Sequence, residues 1–323
     1  MKSALTLVLA AFLLQVFLPA HAQEVGGEHF VLSSNTRLMV FSPHPDDESL
    51  GAAGLIQRVL SRGGKVRVVF VTSGDGFPEG VEFEDHISHP TAQDYRKYGK
   101  ERETEALEAL SILGLKKEEV VFLGFPDGGL CPLLYRFLSD PQAYTSPFTQ
   151  ENHPPASDMV VPQTDYNGAD LRREIVRLLT DFRPNILATT PPQDQHPDHC
   201  ATYHFVRDAL TDLAKTDATL RPDLLKFPIH FGQWPIAQGS GPGSRLDPPA
   251  GFPGTAAEKE ARWMSFPLSP EETKRKRKAI LKYHTQMIMM GRYLLSFARG
   301  NEVFIMENSD RMEEMDSTPC CRQ

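Results

Sequence analysis

The stretch Phe41-Ser-Pro-His-Pro-Asp-Asp-Glu48 decides how the rest of the sequence is interpreted. It brings one imidazole, from His44, and three carboxylates, from Asp46–Glu48, into a single short loop. Apolar residues precede the loop at 38–41 and follow it at helical spacing, so the loop joins a predicted strand to a predicted helix. In open α/β sheets, ligands bind at such loops. Its two prolines disfavour helical geometry. A solvated acidic loop rarely places a histidine beside paired carboxylates under two prolines, so a metal or catalytic site explains the charge better.

A second polar loop follows a later apolar strand. The segment 186–190 predicts a strand, and the loop after it contains His196, Asp198 and His199. Two histidines and one carboxylate can be drawn from the two loops, which is a ligand set that leaves a catalytic zinc one open position. Nitrogen and oxygen donors without a thiolate also suit Fe²⁺, Co²⁺ or Mn²⁺. The remaining carboxylates and histidine leave candidates for a general base and for an oxyanion partner.

The alternation of strand, loop and helix repeats four times along the chain. It predicts an α/β fold, a Rossmann-like and mostly parallel sheet with helices on both faces in a single domain. Further strands are predicted at 66–71, 120–123, 225–231 and 303–306, and helices at 49–62, 94–113, 169–182, 199–214 and 270–290. Residues 77–92 are predicted to be irregular, and residues 131–168 to be a loop insertion.

The N-terminus predicts an exported protein. Residues 1–22 combine a positive start, an apolar core and the sequence Ala20-His21-Ala22, which fits a signal-peptide cleavage site. Cleavage would leave the domain at 23–306, a polar and disordered tail at 307–323, and no membrane span. We therefore expect a periplasmic or secreted protein.

Charge and cysteine content exclude other classes. The formal net charge of −8 argues against a nucleic-acid partner, so the basic run 274–278 is predicted to be a solvated helix face. His86 and His89 are predicted to be surface residues. The four cysteines lack CxxC spacing and do not predict a disulfide framework. Cys200 is predicted to be a small buried helix residue, and whether Cys131 and Cys200 pair stays open.

The sequence resembles one known family. Ser42–Glu48 resembles the AHPDDE signature of the LmbE/PIG-L family of zinc-dependent N-acetylglucosaminyl deacetylases, and His196–His199 resembles its second signature. Residues 122–130 closely match the family's FLGFPDG turn, and residues 102–106 with Leu113-Gly114 resemble its Arg/Glu helix. Lys278, Tyr283 and Gln286 resemble a looser C-terminal motif. The resemblance covers roughly residues 36–300. This chain departs from the family at Ser42, where alanine is usual, and in the insertion at 131–168.

The resemblance implies a metal site and a general base. His44 and Asp47 from the first loop and His199 from the second would hold the metal. Asp46 would be the general base. Glu48 opens the predicted helix, where a carboxylate also favours the helix dipole, so a purely structural role explains it at least as well as a catalytic one.

The resemblance also implies roles for four other residues. His196 would stabilise the oxyanion and could protonate the leaving amine, with Asp198 holding its other ring nitrogen. Arg102 and Asp127 would meet sugar hydroxyls.

The function predicted from these residues is that of a metal-dependent hydrolase. It would remove acetyl from an N-acetylated amino sugar of the N-acetylglucosamine type, either a small molecule or an oligosaccharide. One alternative is an amidase for a thiol–sugar conjugate or another N-acyl substrate. Another is a non-catalytic sugar-binding protein on the same scaffold, although Asp46 and His196 argue against it because a binding protein needs no base. No GxGxxG follows the first strand, which argues against a nucleotide-binding module.

Overall fold

A seven-stranded sheet organises the chain. The computed structural model describes residues 31–139, 142–235, 241, 243–253, 263–307 and 321. The predicted signal peptide and most of the predicted tail lie outside the described residues. The strands are β1 (Arg37–Ser42), β2 (Lys65–Thr72), β3 (Val120–Phe125), β4 (Ile186–Thr189), β5 (Asp223–Lys226), β6 (Trp263–Pro267) and β7 (Asn301–Glu307).

Helices cover the sheet. They are α1 (Asp47–Gly51), α2 (Ala53–Ser61), α3 (Pro78–Asp85), α4 (Ala92–Leu113), α5 (Leu130–Tyr135), α6 (Gly168–Phe182), α7 (Pro197–Thr216), α8 (Pro270–Ile280) and α9 (His284–Leu295), with a short 3₁₀ helix at Lys117–Glu119. Within the described part of the chain, no helix is both long and apolar enough to cross a membrane.

The strand order is β3-β2-β1-β4-β5-β7-β6. The strands from β3 to β5 are parallel, and β7 and β6 add an antiparallel edge. The predicted mostly parallel sheet in a single α/β domain is therefore confirmed. The order of the strands reverses between β1 and β4, and in open α/β sheets a ligand binds in the crevice at this point. Both polar loops predicted from the sequence begin here.

The apolar core lies on both faces of the sheet. Along β1, Leu38 and Val40 point into one buried cluster, while Met39 and Phe41 point into the other. This alternation follows from the two-residue period of a strand. A strand that is buried on both faces has an almost continuous apolar sequence, which is why β1 and β2 could be predicted.

Several predicted boundaries were wrong. The helix predicted at 49–62 is broken at Ala52 into α1 and α2. The segment 77–92 contains α3. Pro78 does not prevent this helix, since it occupies the first turn, where proline is tolerated. The insertion at 131–168 starts within α5, and the helix predicted at 270–290 is two helices that meet near Tyr283. Strand β6 was missed, and β5 is shorter than predicted.

A buried ion pair supports the break between α1 and α2. The Glu302 carboxylate accepts hydrogen bonds from the Gly54 and Leu55 amides at the start of α2. Lys276 Nζ donates to Glu302 at 2.8 Å and to the carbonyl of Leu50 at the end of α1. Lys276 is fully buried, so the prediction that the basic run 274–278 is a solvated face was wrong at this residue. The other four members of the run are exposed.

The cysteines also depart from the prediction. Cys131 is disulfide-bonded to Cys321, and Cys200 is disulfide-bonded as well. No cysteine in the described part of the chain is free. Cys200 is buried within α7, as predicted, but its spacing could not indicate a disulfide. His86 and His89 are exposed, in agreement with the prediction.

Replacing Lys276 by methionine should strongly destabilise the protein. The substitution leaves the Glu302 carboxylate buried without its cation, and breaking a buried ion pair in this way costs about 3–5 kcal/mol. Lys278→Met in the same helix is the matched control, because Lys278 is exposed and surface substitutions change stability by about 0.5 kcal/mol or less. Urea unfolding measures both. Equal unfolding free energies for the two variants would contradict the role of this pair.

Candidate metal centre and active site

Three donor atoms meet where β1 and β4 end. His44 Nδ1 lies 3.2 Å from Asp47 Oδ2 and 3.2 Å from His199 Nε2, and His199 Nε2 lies 3.1 Å from Asp47 Oδ2. All three side chains are buried. The structure therefore brings together the three residues that were predicted to hold a metal.

The triangle has the dimensions of a tetrahedral metal site. An ion about 2.0–2.1 Å from each donor would set neighbouring donors roughly 3.3–3.4 Å apart, close to the observed spacing. The surrounding charge also favours a cation. Six buried carboxyl groups crowd in and around the triangle, those of Asp46, Asp47, Glu48, Asp127, Asp194 and Asp198. The Arg102 guanidinium contacts one of them, that of Asp46, at 3.3 Å.

Neighbouring secondary structure sets the positions of these donors. Asp47 begins α1 directly after the β1 loop, and His199 lies in the first turn of α7, directly after the β4 loop. Because β1 and β4 are adjacent and parallel, the two loops face each other. The Asp47 carboxylate also accepts the His44 backbone N–H at 3.0 Å, which closes the first loop on itself.

Carboxylates lie behind both histidines. His44 Nε2 is 3.0 Å from Asp127 Oδ1, and His199 Nδ1 is 3.3 Å from Asp194 Oδ1. Such partners fix the ring orientation of a metal-bound histidine and raise its basicity. Burial alone lowers the pKa of both rings, but the facing carboxylates outweigh it and raise that of His44 well above normal and that of His199 to about 9.

Asp46 lies beside the triangle in a strained conformation. Its φ of 137° is in a region that residues other than glycine rarely adopt, at a cost of about 1–3 kcal/mol. Its carboxylate lies 3.3 Å from the Arg102 guanidinium. Burial, and then the negative charge of Asp47, raise the pKa of Asp46 to about 8.

Glu48 holds this strained backbone in place. Its carboxylate accepts hydrogen bonds from the Asp46 N–H, the Ser49 hydroxyl and the Tyr283 hydroxyl. The Ser42 hydroxyl donates a hydrogen bond to the carbonyl of His44 and accepts one from the Glu48 N–H. Glu48 therefore positions the loop from the first turn of α1, as the structural alternative predicted, and the serine at position 42 contributes to the loop.

Arg102 and Asp127, predicted to meet sugar hydroxyls, are both buried against the protein. Arg102 is buried, and its guanidinium donates to the carbonyls of Gly74 and Pro45 at 2.8 Å each. Asp127 is buried against His44, and its other oxygen accepts the Gly76 N–H. The described contacts of both side chains are therefore with the protein, behind Asp46 and His44.

His196 and Asp198 also interact in an unexpected way. His196 Nδ1 accepts the Asp198 backbone N–H at 3.2 Å, instead of donating a ring N–H to the Asp198 carboxylate. The Asp198 carboxylate instead accepts the amides of Gly128 and Leu130 and lies 3.5 Å from His44 Nε2. Burial, followed by the positive charges of His44 and His199, lowers the pKa of His196 to about 2. His196 is therefore neutral, with its proton on Nε2.

Sequence reasoning missed two residues of the site. Asp194 lies in the second loop and reaches His199, and His230 follows β5 with its ring centroid 4.9 Å from that of His199. Its ring centroid is also 5.5 Å from that of His196. The signal for His230 was present, because a histidine at the end of a strand next to β4 must lie at the same sheet edge.

Comparisons with known proteins identify the family. Residues 39–210 match the PIG-L family, described as GlcNAc-PI de-N-acetylase. The chain belongs to this family. It is 28% identical over 180 residues to a 1D-myo-inositol 2-acetamido-2-deoxy-alpha-D-glucopyranoside deacetylase of Mycobacterium sp. (strain KMS), covering 54% of this chain and 50% of the relative. The chain thus spans about half the length of the curated relatives it matches.

Other relatives agree in family or in fold. A mycothiol S-conjugate amidase of Streptomyces coelicolor is 29% identical over 192 residues, which cover 58% of this chain and 55% of the relative. A solved deacetylase of the teicoplanin biosynthetic pathway superposes with a TM-score of 0.52 at 18% identity, covering 85% of this chain and 100% of the other. At that identity the likeness supports the fold alone.

The Asp127→Asn substitution should weaken metal binding. Removing the carboxylate behind His44 should lower affinity about 10–100-fold, as for other partners of metal-bound histidines. Metal titration of the substrate-free protein measures this, with Asp181→Asn, an exposed carboxylate, as the control. Unchanged metal affinity together with a raised KM would instead identify Asp127 as a substrate contact.

Proposed function

We propose that this protein is a metal-dependent N-deacetylase that removes acetyl from an N-acetylated amino sugar. The observation that carries the proposal is the triangle of His44 Nδ1, Asp47 Oδ2 and His199 Nε2, with Asp46 beside it. Membership of the PIG-L family and the deacetylases among its relatives support this reaction. A pure binding protein would not need a carboxylate that is held next to a metal site by a strained backbone.

The donor set suits Zn²⁺ and also admits Fe²⁺ or another divalent ion. His44, Asp47 and His199 would hold it. When bound there, such an ion polarises an amide carbonyl and lowers the pKa of water. The crowding of buried carboxylates around the site explains why the folded protein would bind a cation strongly.

The side chains divide the remaining steps of hydrolysis. Asp46 accepts a proton from the attacking water while the new C–O bond forms at the acetyl carbon. His196 donates from Nε2 to the oxyanion, as a neutral imidazole can. The C–N bond then breaks, and the proton passes from Asp46 to the leaving nitrogen, giving acetate and an amine. We assign this last transfer to Asp46 because it already carries the proton taken from the water.

The insertion contributes to a cavity at the same sheet edge. The cavity has a volume of about 260 Å³, and residues from the insertion, α4 and the loop after β2 line it, including Ser73, Lys100, Thr149, Ser157 and Asp158. Tyr166 from the insertion donates to the carbonyl of Gly124 at the end of β3. Hydroxyls and charges are the groups that recognise a sugar, so we propose that this cavity receives part of the substrate beyond the acetamido group.

Two finer points complete the proposal. The similarity to a mycothiol S-conjugate amidase supports, as a second candidate, an amidase acting on a thiol–sugar conjugate. We also propose that the protein is exported to the periplasm or secreted, on the N-terminal sequence pattern. An oxidising compartment is where disulfides such as Cys131–Cys321 persist.

Acetate release tests the proposed reaction. The mature chain, supplied with Zn²⁺ or Fe²⁺, should release acetate from N-acetylglucosamine or its oligomers, and a chelator should abolish the release because His44, Asp47 and His199 lose their ion. Readdition of metal should restore it. Release that persists after verified metal removal would contradict the proposal. Cleavage of a thiol–sugar amide without acetate release from any N-acetylated sugar would favour the amidase.

Asp46→Asn should separate catalysis from metal binding. The amide cannot accept the water proton, so kcat should fall about 10²–10⁴-fold while the metal content stays near that of the unsubstituted chain. Steady-state acetate release and metal analysis measure the two quantities, and Asp181→Asn again serves as the surface control. A fully active Asp46→Asn protein would show that another group is the base.

A further inference from the structure

His230 lies beside the donor triangle without a role so far. It follows β5, the strand next to β4, and is half-buried. A nitrogen of its ring lies within 4.8 Å of the donor atoms of both Asp47 and His199. Its ring also stacks on Tyr293, with centroids 5.8 Å apart and planes 17° apart. Simple packing explains the contact with Tyr293 but not the approach to the two donors.

Hydrogen bonding fixes which nitrogen of His230 is free. The Tyr293 hydroxyl has one hydrogen, and it donates that hydrogen to the carbonyl of Ile229 at 2.6 Å. In its 3.4 Å contact with His230 Nδ1 the hydroxyl oxygen can then only accept. Nδ1 therefore carries the ring proton, and Nε2 has a bare lone pair. A neutral imidazole with one free lone pair is the form that binds a metal.

Asp194 connects His230 to the triangle. One oxygen of its carboxylate faces His199 Nδ1, and the other accepts the backbone N–H groups of Ile229 and His230 at 2.9 and 3.0 Å. A single buried carboxylate thus orients a donor of the triangle and the segment that presents His230. This connection fixes the position of the His230 segment relative to His199.

We propose that His230 Nε2 is a fourth protein donor to the cation in the substrate-free enzyme. The inference rests on the proposed function in that a cation must occupy the triangle. A ring nitrogen of His230 now lies up to 4.8 Å from the donors of Asp47 and His199, which is longer than the edge of a tetrahedral site, so the His230 ring moves inward when the ion binds. A catalytic site needs an open position, so the substrate carbonyl displaces His230.

Cobalt titration tests the proposal without substrate. Co²⁺ added to the metal-free full chain reports affinity and, through its visible spectrum, the number and kind of its ligands. His230→Phe keeps a ring on Tyr293 but removes the nitrogens. It should weaken Co²⁺ binding at least about tenfold and change the spectrum. His89→Phe, an exposed histidine, should change neither.

A second variant distinguishes the loss of a metal ligand from misfolding of His230→Phe. Tyr293→Phe keeps the ring stack and loses the oxygen that fixes the His230 tautomer, so it should shift Co²⁺ affinity in the same direction by a smaller factor. An unchanged spectrum in His230→Phe, whether or not affinity falls, would overturn the fourth ligand. A spectrum that depends on His230 in a protein that releases no acetate would instead overturn the proposed function and leave the ligand assignment intact.

Discussion

The contact between Asp47 Oδ2 and His199 Nε2, at 3.1 Å, joins the two loops on which the site depends. His44, the third corner, is 155 residues from His199 in the chain. The loops meet because β1 and β4 are parallel neighbours at the point where the strand order reverses. Such a concentration of buried carboxylates is costly without a cation, because burial disfavours the charged form of each group. The same negative charges favour the binding of a divalent cation at the folded site.

Support for the first loop comes from distant parts of the chain. Tyr283 binds Glu48, and Glu302 with Lys276 fixes the junction between α1 and α2. Tyr283, Lys276 and Glu302 lie outside the segment 39–210 that matches the family. The strained Asp46 backbone can persist only where surrounding contacts determine it, so α8, α9 and β7 belong to the functional architecture. A fragment ending near residue 210 would lack these supports.

Much of the fold and the donor triangle could be predicted from the sequence. Continuous apolar strands and two charged loops predicted the sheet and the edge at which the site lies, and the family resemblance selected His44, Asp47 and His199 as the donors. The break at Ala52, the burial of Lys276 and the approach of His230 depend on contacts between distant segments. No periodicity encodes those contacts. For the same reason Arg102 and Asp127, which the family resemblance suggested as sugar contacts, lie behind Asp46 and His44.

The position of the bound metal tests the central claim most directly. His44 also belongs to two competing groups of donors. One group adds Asp127 and Asp198, and the other adds His196 and His199. An anomalous-difference map from metal-loaded crystals would locate the ion. The account predicts one peak about 2.0–2.1 Å from His44 Nδ1 and His199 Nε2 and about 2.0–2.2 Å from Asp47 Oδ2. A peak among His44 Nε2, Asp127 and Asp198, with the triangle empty, would contradict it.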